Sequence, residues 1–204
     1  MMGTAGTKLM FSAVGIAASL AAFLPGVSAQ NKPVEQFTAF AINMNRRPTG
    51  PNRPATATID IRIERWSTDA ERDALLNIVR EESNVNRANQ ALLRALQQLP
   101  RVGTFREATS LAWDLRFARQ NPLDEGGRRI VLATDRPIGF WEASTRPRTI
   151  DYPFTILQLQ LDKANRGEGK MLADTRILID SKTNDLVLEH FDIQPVRLNQ
   201  IRPR

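Results

Sequence analysis

The chain has no cysteine, one histidine and one tyrosine among its 204 residues. Without thiols it has no disulfide framework, no thiolate nucleophile and no zinc–thiolate centre. A lone imidazole cannot supply the clustered ligands that zinc and copper prefer. That histidine, His190, shares a strand face with Leu186 and Leu188 and reads as a packed or half-exposed side chain. No serine stands in a Gly-x-Ser-x-Gly turn, and no Asp-x-Asp-x-Asp-Gly loop offers calcium a cradle. The sequence predicts no catalytic residue, no metal and no cofactor, and a fold held by packing alone.

Long apolar runs are equally scarce. The only one is Leu9 to Leu24, interrupted by Ser12 and Ser19. It is shorter than the roughly 20 residues that span a bilayer. Met1 to Lys8 carries one positive charge ahead of it. Pro25 and Gly26 break it, and Val27-Ser28-Ala29 follows with small side chains. Charged start, apolar middle and small-residue exit form the secretory pattern. Residues 1–29 are therefore expected to be a signal peptide and 30–204 a single domain, secreted or periplasmic. The membrane is then met only through the signal, before cleavage.

The charge is basic, 28 Lys and Arg against 22 Asp and Glu, for a net of +6. Arginine dominates, which suits planar anionic partners. The signs alternate, however, as in Asp60-Ile61-Arg62-Ile63-Glu64-Arg65. Dense basic runs are limited to Arg46-Arg47 and Arg128-Arg129. Mixed charge and export argue against a nucleic-acid partner.

Period two is the dominant pattern. Ala55, Ala57, Ile59, Ile61 and Ile63 alternate with Thr56, Thr58, Asp60, Arg62 and Glu64. One face is buried and the other wet, which indicates an antiparallel sheet. Val34–Asn43, Val102–Glu107, Trp113–Ala118, Arg129–Asp135, Phe154–Asp162, Lys170–Asp180, Leu186–Phe191 and Val196–Ile201 read as further strands. Ile130 to Ala133 is continuously apolar, as for a strand covered on both faces. Ala164 to Gly169 reads as a turn, and Arg202-Pro203-Arg204 as a frayed end.

One stretch departs from that period. Thr68 and Glu71 form a capping box, and Ala74, Leu75, Ile78 and Val79 follow at helical spacing. Ala88, Ala91, Leu92, Ala95, Leu96 and Leu99 repeat that spacing before Pro100. The expected fold is mainly β: an antiparallel sandwich or barrel-like sheet of about nine strands, with a helical hairpin inserted at about 68–99.

The densest group of ligand-holding residue types lies in the long irregular segment from Arg136 to Pro153. Phe140, Trp141, Arg146, Arg148 and Tyr152 combine aromatic faces with guanidinium groups, the equipment that holds planar, anionic or carbohydrate ligands. They are the candidate ligand-binding residues. The segment also contains Arg136-Pro137-Ile138, Phe140-Trp141-Glu142-Ala143, Arg146-Pro147-Arg148 and Asp151-Tyr152-Pro153. Together these resemble a region of secreted bacterial proteins of unknown function and similar length. The likeness runs from Ile63-Glu64-Arg65-Trp66-Ser67-Thr68-Asp69 to the C-terminal strands. It implies export and one domain, and it assigns no functional residue.

The reading that follows is an exported, non-enzymatic binding or interaction module of the bacterial envelope. Its partner would be a small molecule or an envelope component, anionic in keeping with the arginines. Two alternatives are a barrel-type carrier, with Trp113, Phe117, Trp141 and Phe154 lining a cavity capped by the helical hairpin, and a hydrolase using the carboxylates Glu142 and Asp151.

Overall fold

The alternation that marks the second strand runs round the whole sheet. The computed structural model describes residues 34–43, 55–108, 111–124, 126–138, 154–172, 175–180, 185–190 and 195–204. In chain order the elements are β1 (Glu35–Asn43), β2 (Ala55–Ile63), α1 (Asp69–Glu81), α2 (Val85–Gln98), β3 (Gly103–Glu107) and β4 (Trp113–Pro122). There follow β5 (Arg128–Thr134), β6 (Ile156–Leu161), β7 (Gly167–Leu172), β8 (Thr175–Asp180), β9 (Asp185–His190) and β10 (Val196–Pro203). All belong to one compact unit, Asn31–Arg204.

Eight strands close into a barrel in the order β1-β10-β7-β6-β5-β4-β3-β2, each neighbour antiparallel. The hairpin β8–β9 stands outside it as a two-stranded sheet. Apart from that insertion, strands that follow one another in sequence lie side by side, and closure leaves the barrel no unpaired edge. The expected mainly-β sheet with a helical insertion is thus a barrel, not a sandwich.

Inward positions are apolar. Phe37, Ala39 and Ala41 of β1 meet Ile59, Ile61 and Ile63 of β2, with Phe105, Leu115, Ile130, Leu132, Leu157, Leu159 and Leu198 from the other strands. Ile59, Ile63, Phe105, Leu115, Ile130, Leu132, Leu157, Leu159 and Leu198 are 0% exposed. A void wide enough for water would leave its lining some accessible surface. The described lumen is therefore filled by side chains, one of the two states open to an eight-stranded barrel. Charges such as Asp60, Arg62 and Arg106 occupy outward positions of β2 and β3, the reverse of a membrane barrel's apolar outer band. Among the described residues no helix is long and apolar enough to cross a membrane.

A bulge in β4 alters the expected faces. Trp113, Leu115 and Phe117 alternate in sequence, but the pairing with β5 shifts between Leu115 and Phe117. The extra residue, Arg116, sends Phe117 to the outer face and turns Ala118 inward. Trp113 stays against the core, its ring 5.8 Å from that of Phe105.

The outward Phe117 sits under the helices. Leu75 and Leu76 of α1 and Leu92 and Leu96 of α2 pack with Phe117, Val131, Ala133, Phe154, Ile156 and Leu172. Burying each such leucine contributes about 1.5–3 kcal/mol. The hairpin thus covers the outer wall rather than capping a mouth, and Phe117 and Phe154 lie beneath it rather than around a cavity. The apolar run Ile130 to Ala133 follows from this: Ile130 and Leu132 face the lumen, Val131 and Ala133 the helices.

The capping box forms as expected: Glu71 N–H donates to Thr68 Oγ1 at 3.2 Å, and Thr68 N–H to Glu71 Oε2 at 2.8 Å. The hairpin is tied to β4 at both ends. Ser67 N–H donates to the Ala118 carbonyl at 2.8 Å, and Arg116 Nη1 donates to the Leu99 carbonyl at 3.3 Å.

Three boundaries differ from the sequence reading. The turn spans Asp162 to Arg166, where Asp162 Oδ1 accepts the N–H groups of Ala164 and Arg166 at 2.8 and 2.9 Å. Gly167 and Gly169, which look like turn residues, belong to β7. A Cβ on Gly169 would stand 2.7 Å from the Gln158 carbonyl oxygen and 2.9 Å from Leu159 Cδ2, so glycine is there for close approach. The stretch Lys170–Asp180 holds two strands, β7 and β8, so the described residues form ten strands where about nine were expected.

Candidate functional site

With the lumen packed, concave space is found on the outer wall. Gln36 of β1, Asp60 and Arg62 of β2, Thr104 and Arg106 of β3, Ala112 and Arg204 line a groove of about 440 Å³. That volume is in the usual range for small-molecule sites. Period two explains the lining, since Asp60 and Arg62 are outward partners of the buried Ile59, Ile61 and Ile63.

Strand register brings the polar groups together. Asp60 stands opposite Thr38 across β1–β2 and opposite Arg106 across β2–β3. Its Oδ1 accepts from Thr38 Oγ1 at 3.3 Å and from Arg204 Nη1 at 2.9 Å. Its Oδ2 accepts from Arg106 Nη2 at 3.4 Å. The last residue was expected to fray. Instead Arg204 N–H donates to the Gln36 carbonyl at 3.1 Å, which carries β10 into the groove wall.

Asp60 therefore serves two guanidinium groups of the groove, Arg106 and Arg204, while Arg62 Nε lies 4.0 Å from Glu64 Oε1. Arg106 and Arg204 each reach Asp60 through a single nitrogen, and their side chains remain 52% and 60% exposed. A guanidinium fork can take a second planar oxyanion alongside the first partner. Asp60 holds two forks in position, one negative charge against two positive ones. Thr104 and Gln36 add a hydroxyl and an amide to the lining.

The residues singled out in sequence are placed differently. Phe140, Trp141, Arg146, Arg148 and Tyr152, with Glu142 and Asp151, lie outside the described residues. What is described is the stem from which that segment leaves. Ile138 N–H donates to Thr155 Oγ1 at 2.7 Å, and Thr134 Oγ1 donates to the Arg136 carbonyl at 2.6 Å. Thr155 N–H donates to Thr134 Oγ1 at 3.1 Å, and both threonines are fully buried. His190 ends β9, opposite Thr175.

Sequence reasoning missed Asp60, Arg62, Arg106 and Arg204 as a group. Each was legible as an outward or terminal charge. The available signal was the alternation itself, which puts Asp60 and Arg62 on one wet face. Their partners, 46 and 144 residues away from Asp60, come only from register. Compared with protein-family models, curated proteins and solved structures, the chain matches none.

Proposed function

We propose that this chain is an exported binding module, secreted or periplasmic, that holds an anionic small molecule or the anionic group of an envelope partner in the Asp60–Arg62–Arg106–Arg204 groove. The observation that carries the reading is the pair of half-exposed guanidinium groups, Arg106 and Arg204, that share the one Asp60 carboxylate in a concave site of about 440 Å³. The carrier alternative uses the same site, because the described lumen is filled. Export rests on the charged, apolar and small-residue order of residues 1–29.

Calorimetric titration of the protein with citrate and with inorganic phosphate tests the site. Saturable binding of either probe is expected, weakened at least tenfold in Arg106→Gln and in Arg204→Gln. Binding that both variants retain at full strength would remove the groove from the account. Export is tested separately by fractionation and N-terminal sequencing, with Gln30 expected as the first residue of the mature chain.

A further inference from the structure

We infer that the ligand of the groove is an acidic saccharide, whose carboxylate lies on the Arg106 and Arg204 forks while its sugar ring stacks on Phe40. The inference rests on the anion-binding reading of the groove and names the ligand class. Strand register sets the two halves side by side on one outer wall. Arg202 of β10, Thr38 of β1, Asp60 of β2 and Arg106 of β3 stand opposite one another in a row across four adjacent strands. The next row holds Asn199, Phe40 and Thr58. Thr38 and Phe40 are two positions apart along β1, about 6.5–7 Å, which is within the reach of one sugar unit and its carboxylate. The other carboxylates beside this wall are engaged, Glu64 by Arg62 and Arg101, and Asp114 by Arg116.

Phe40 is the one exposed aromatic ring among the described residues, at 39%. A single exposed apolar side chain is ordinary, but the surroundings of this one are not. Thr58 and Asn199 flank it with a hydroxyl and an amide, which can bond to sugar hydroxyls. The negative face of an aromatic ring attracts the C–H groups that one side of a pyranose presents. The half-exposed guanidinium groups beside it suit a carboxylate, which a neutral sugar lacks. β10 departs from regular alternation to give this arrangement. Its pairing with β1 shifts between Thr38 and Phe40, so three steps of β10, from Asn199 to Arg202, face two steps of β1. The extra residue lets Asn199 and Arg202 both lie on the outer face while Leu198 and Ile201 stay buried. Gln200 takes up the irregularity at φ 52°, a left-handed conformation that residues other than glycine seldom adopt. Strain of this kind gathers at ligand sites.

The test is calorimetric titration of the whole chain with digalacturonate, its neutral methyl ester and citrate. Digalacturonate is expected to bind at least tenfold more tightly than its ester. Phe40→Ala is expected to weaken digalacturonate binding at least fivefold and to leave citrate binding unchanged, whereas Arg106→Gln should weaken both. Unchanged citrate binding also shows that the variant is folded. Phe40→Leu keeps an apolar side chain in the strand and removes the flat ring, so it reports even where Phe40→Ala fails to fold, and it should lose the same fivefold. The saccharide inference is overturned, with the anion-binding reading left standing, if citrate binds and digalacturonate does not. It is likewise overturned if the ester binds as tightly as the acid, or if Phe40→Leu binds digalacturonate as the parent does. If neither digalacturonate nor citrate nor inorganic phosphate binds, both readings fall together.

Discussion

Arg128 and Glu35 form a two-pronged ion pair across one end of the barrel. Arg128 Nη1 and Nη2 donate to Glu35 Oε1 and Oε2, each at 2.7 Å. Arg128 opens β5 and Glu35 opens β1, and these strands lie diametrically opposite in the closed order. Asn165 Oδ1 accepts from Arg128 Nη2 at 2.7 Å, and Gln120 Oε1 accepts from Nη1 at 2.6 Å. The guanidinium carbon lies 5.9 Å from the centre of the Phe37 ring below it. The packed lumen is thus closed at this end by a polar clasp.

That clasp should carry measurable stability. Its side chains are only 20% and 23% exposed, so the pair is shielded more than an ordinary surface bridge. Glu35→Gln keeps the size and removes the charge, which leaves Arg128 half-buried and unbalanced. A loss of about 1–3 kcal/mol is expected, read as a lower urea midpoint. An unchanged midpoint would show that the crossing pair contributes nothing net.

Acid should loosen the start of α1. The Glu71 carboxyl is held below its usual 4.5, chiefly by hydrogen bonds from Arg65, with burial opposing and Thr68 assisting. Arg65 Nη2 donates to Glu71 Oε1 at 2.7 Å, and the Arg65 guanidinium is pushed up in turn. A carboxyl with a depressed folded value binds its proton less readily in the folded than in the unfolded chain. Its stabilisation is therefore complete above about pH 4.5 and fades as the pH falls through the lower folded value. Glu71→Gln should be less stable than the parent at neutral pH, with the difference narrowing below pH 4.5. Melting curves collected from pH 3 to pH 7 would show a constant difference if the ion pair played no part.

Gly169 should resist any side chain. An alanine Cβ would press on the Gln158 carbonyl at 2.7 Å and on Leu159 Cδ2 at 2.9 Å, with Ile201 Cδ1 3.2 Å away. Backbone cannot yield as a flexible side-chain tip does. Gly169→Ala is expected to cost about 1–3 kcal/mol by overpacking. A substitution that left the denaturation midpoint unchanged would show that β6 and β10 approach Gly169 of β7 less closely.

Much of the fold could be read locally. Ala55 to Ile63 announces its buried and wet faces through period two, and Thr68 with Glu71 announces the start of α1 through the free amides a helix must satisfy. Ile130 to Ala133 announces a strand covered twice. Signals of this kind reside within one element, so a sequence carries them whole. Gly167 and Gly169 misled because glycine serves turns and close backbone approach alike, and only the neighbour at Gln158 distinguishes the two uses.

The chain by itself determined the mainly-β class, the inserted helical hairpin, the capping box and the alternation of β2, because these depend on residues a few positions apart. Tertiary structure decided the rest. Closure joined β1 to β10, the bulge at Arg116 turned Phe117 from the lumen to the helices, and side chains filled the barrel. Register placed Asp60 between Arg106 and Arg204, and closure set Glu35 across from Arg128, 93 residues away. Such pairings depend on which strands become neighbours and in what phase. That choice is settled by burying every apolar face at once, and no single segment of sequence contains it.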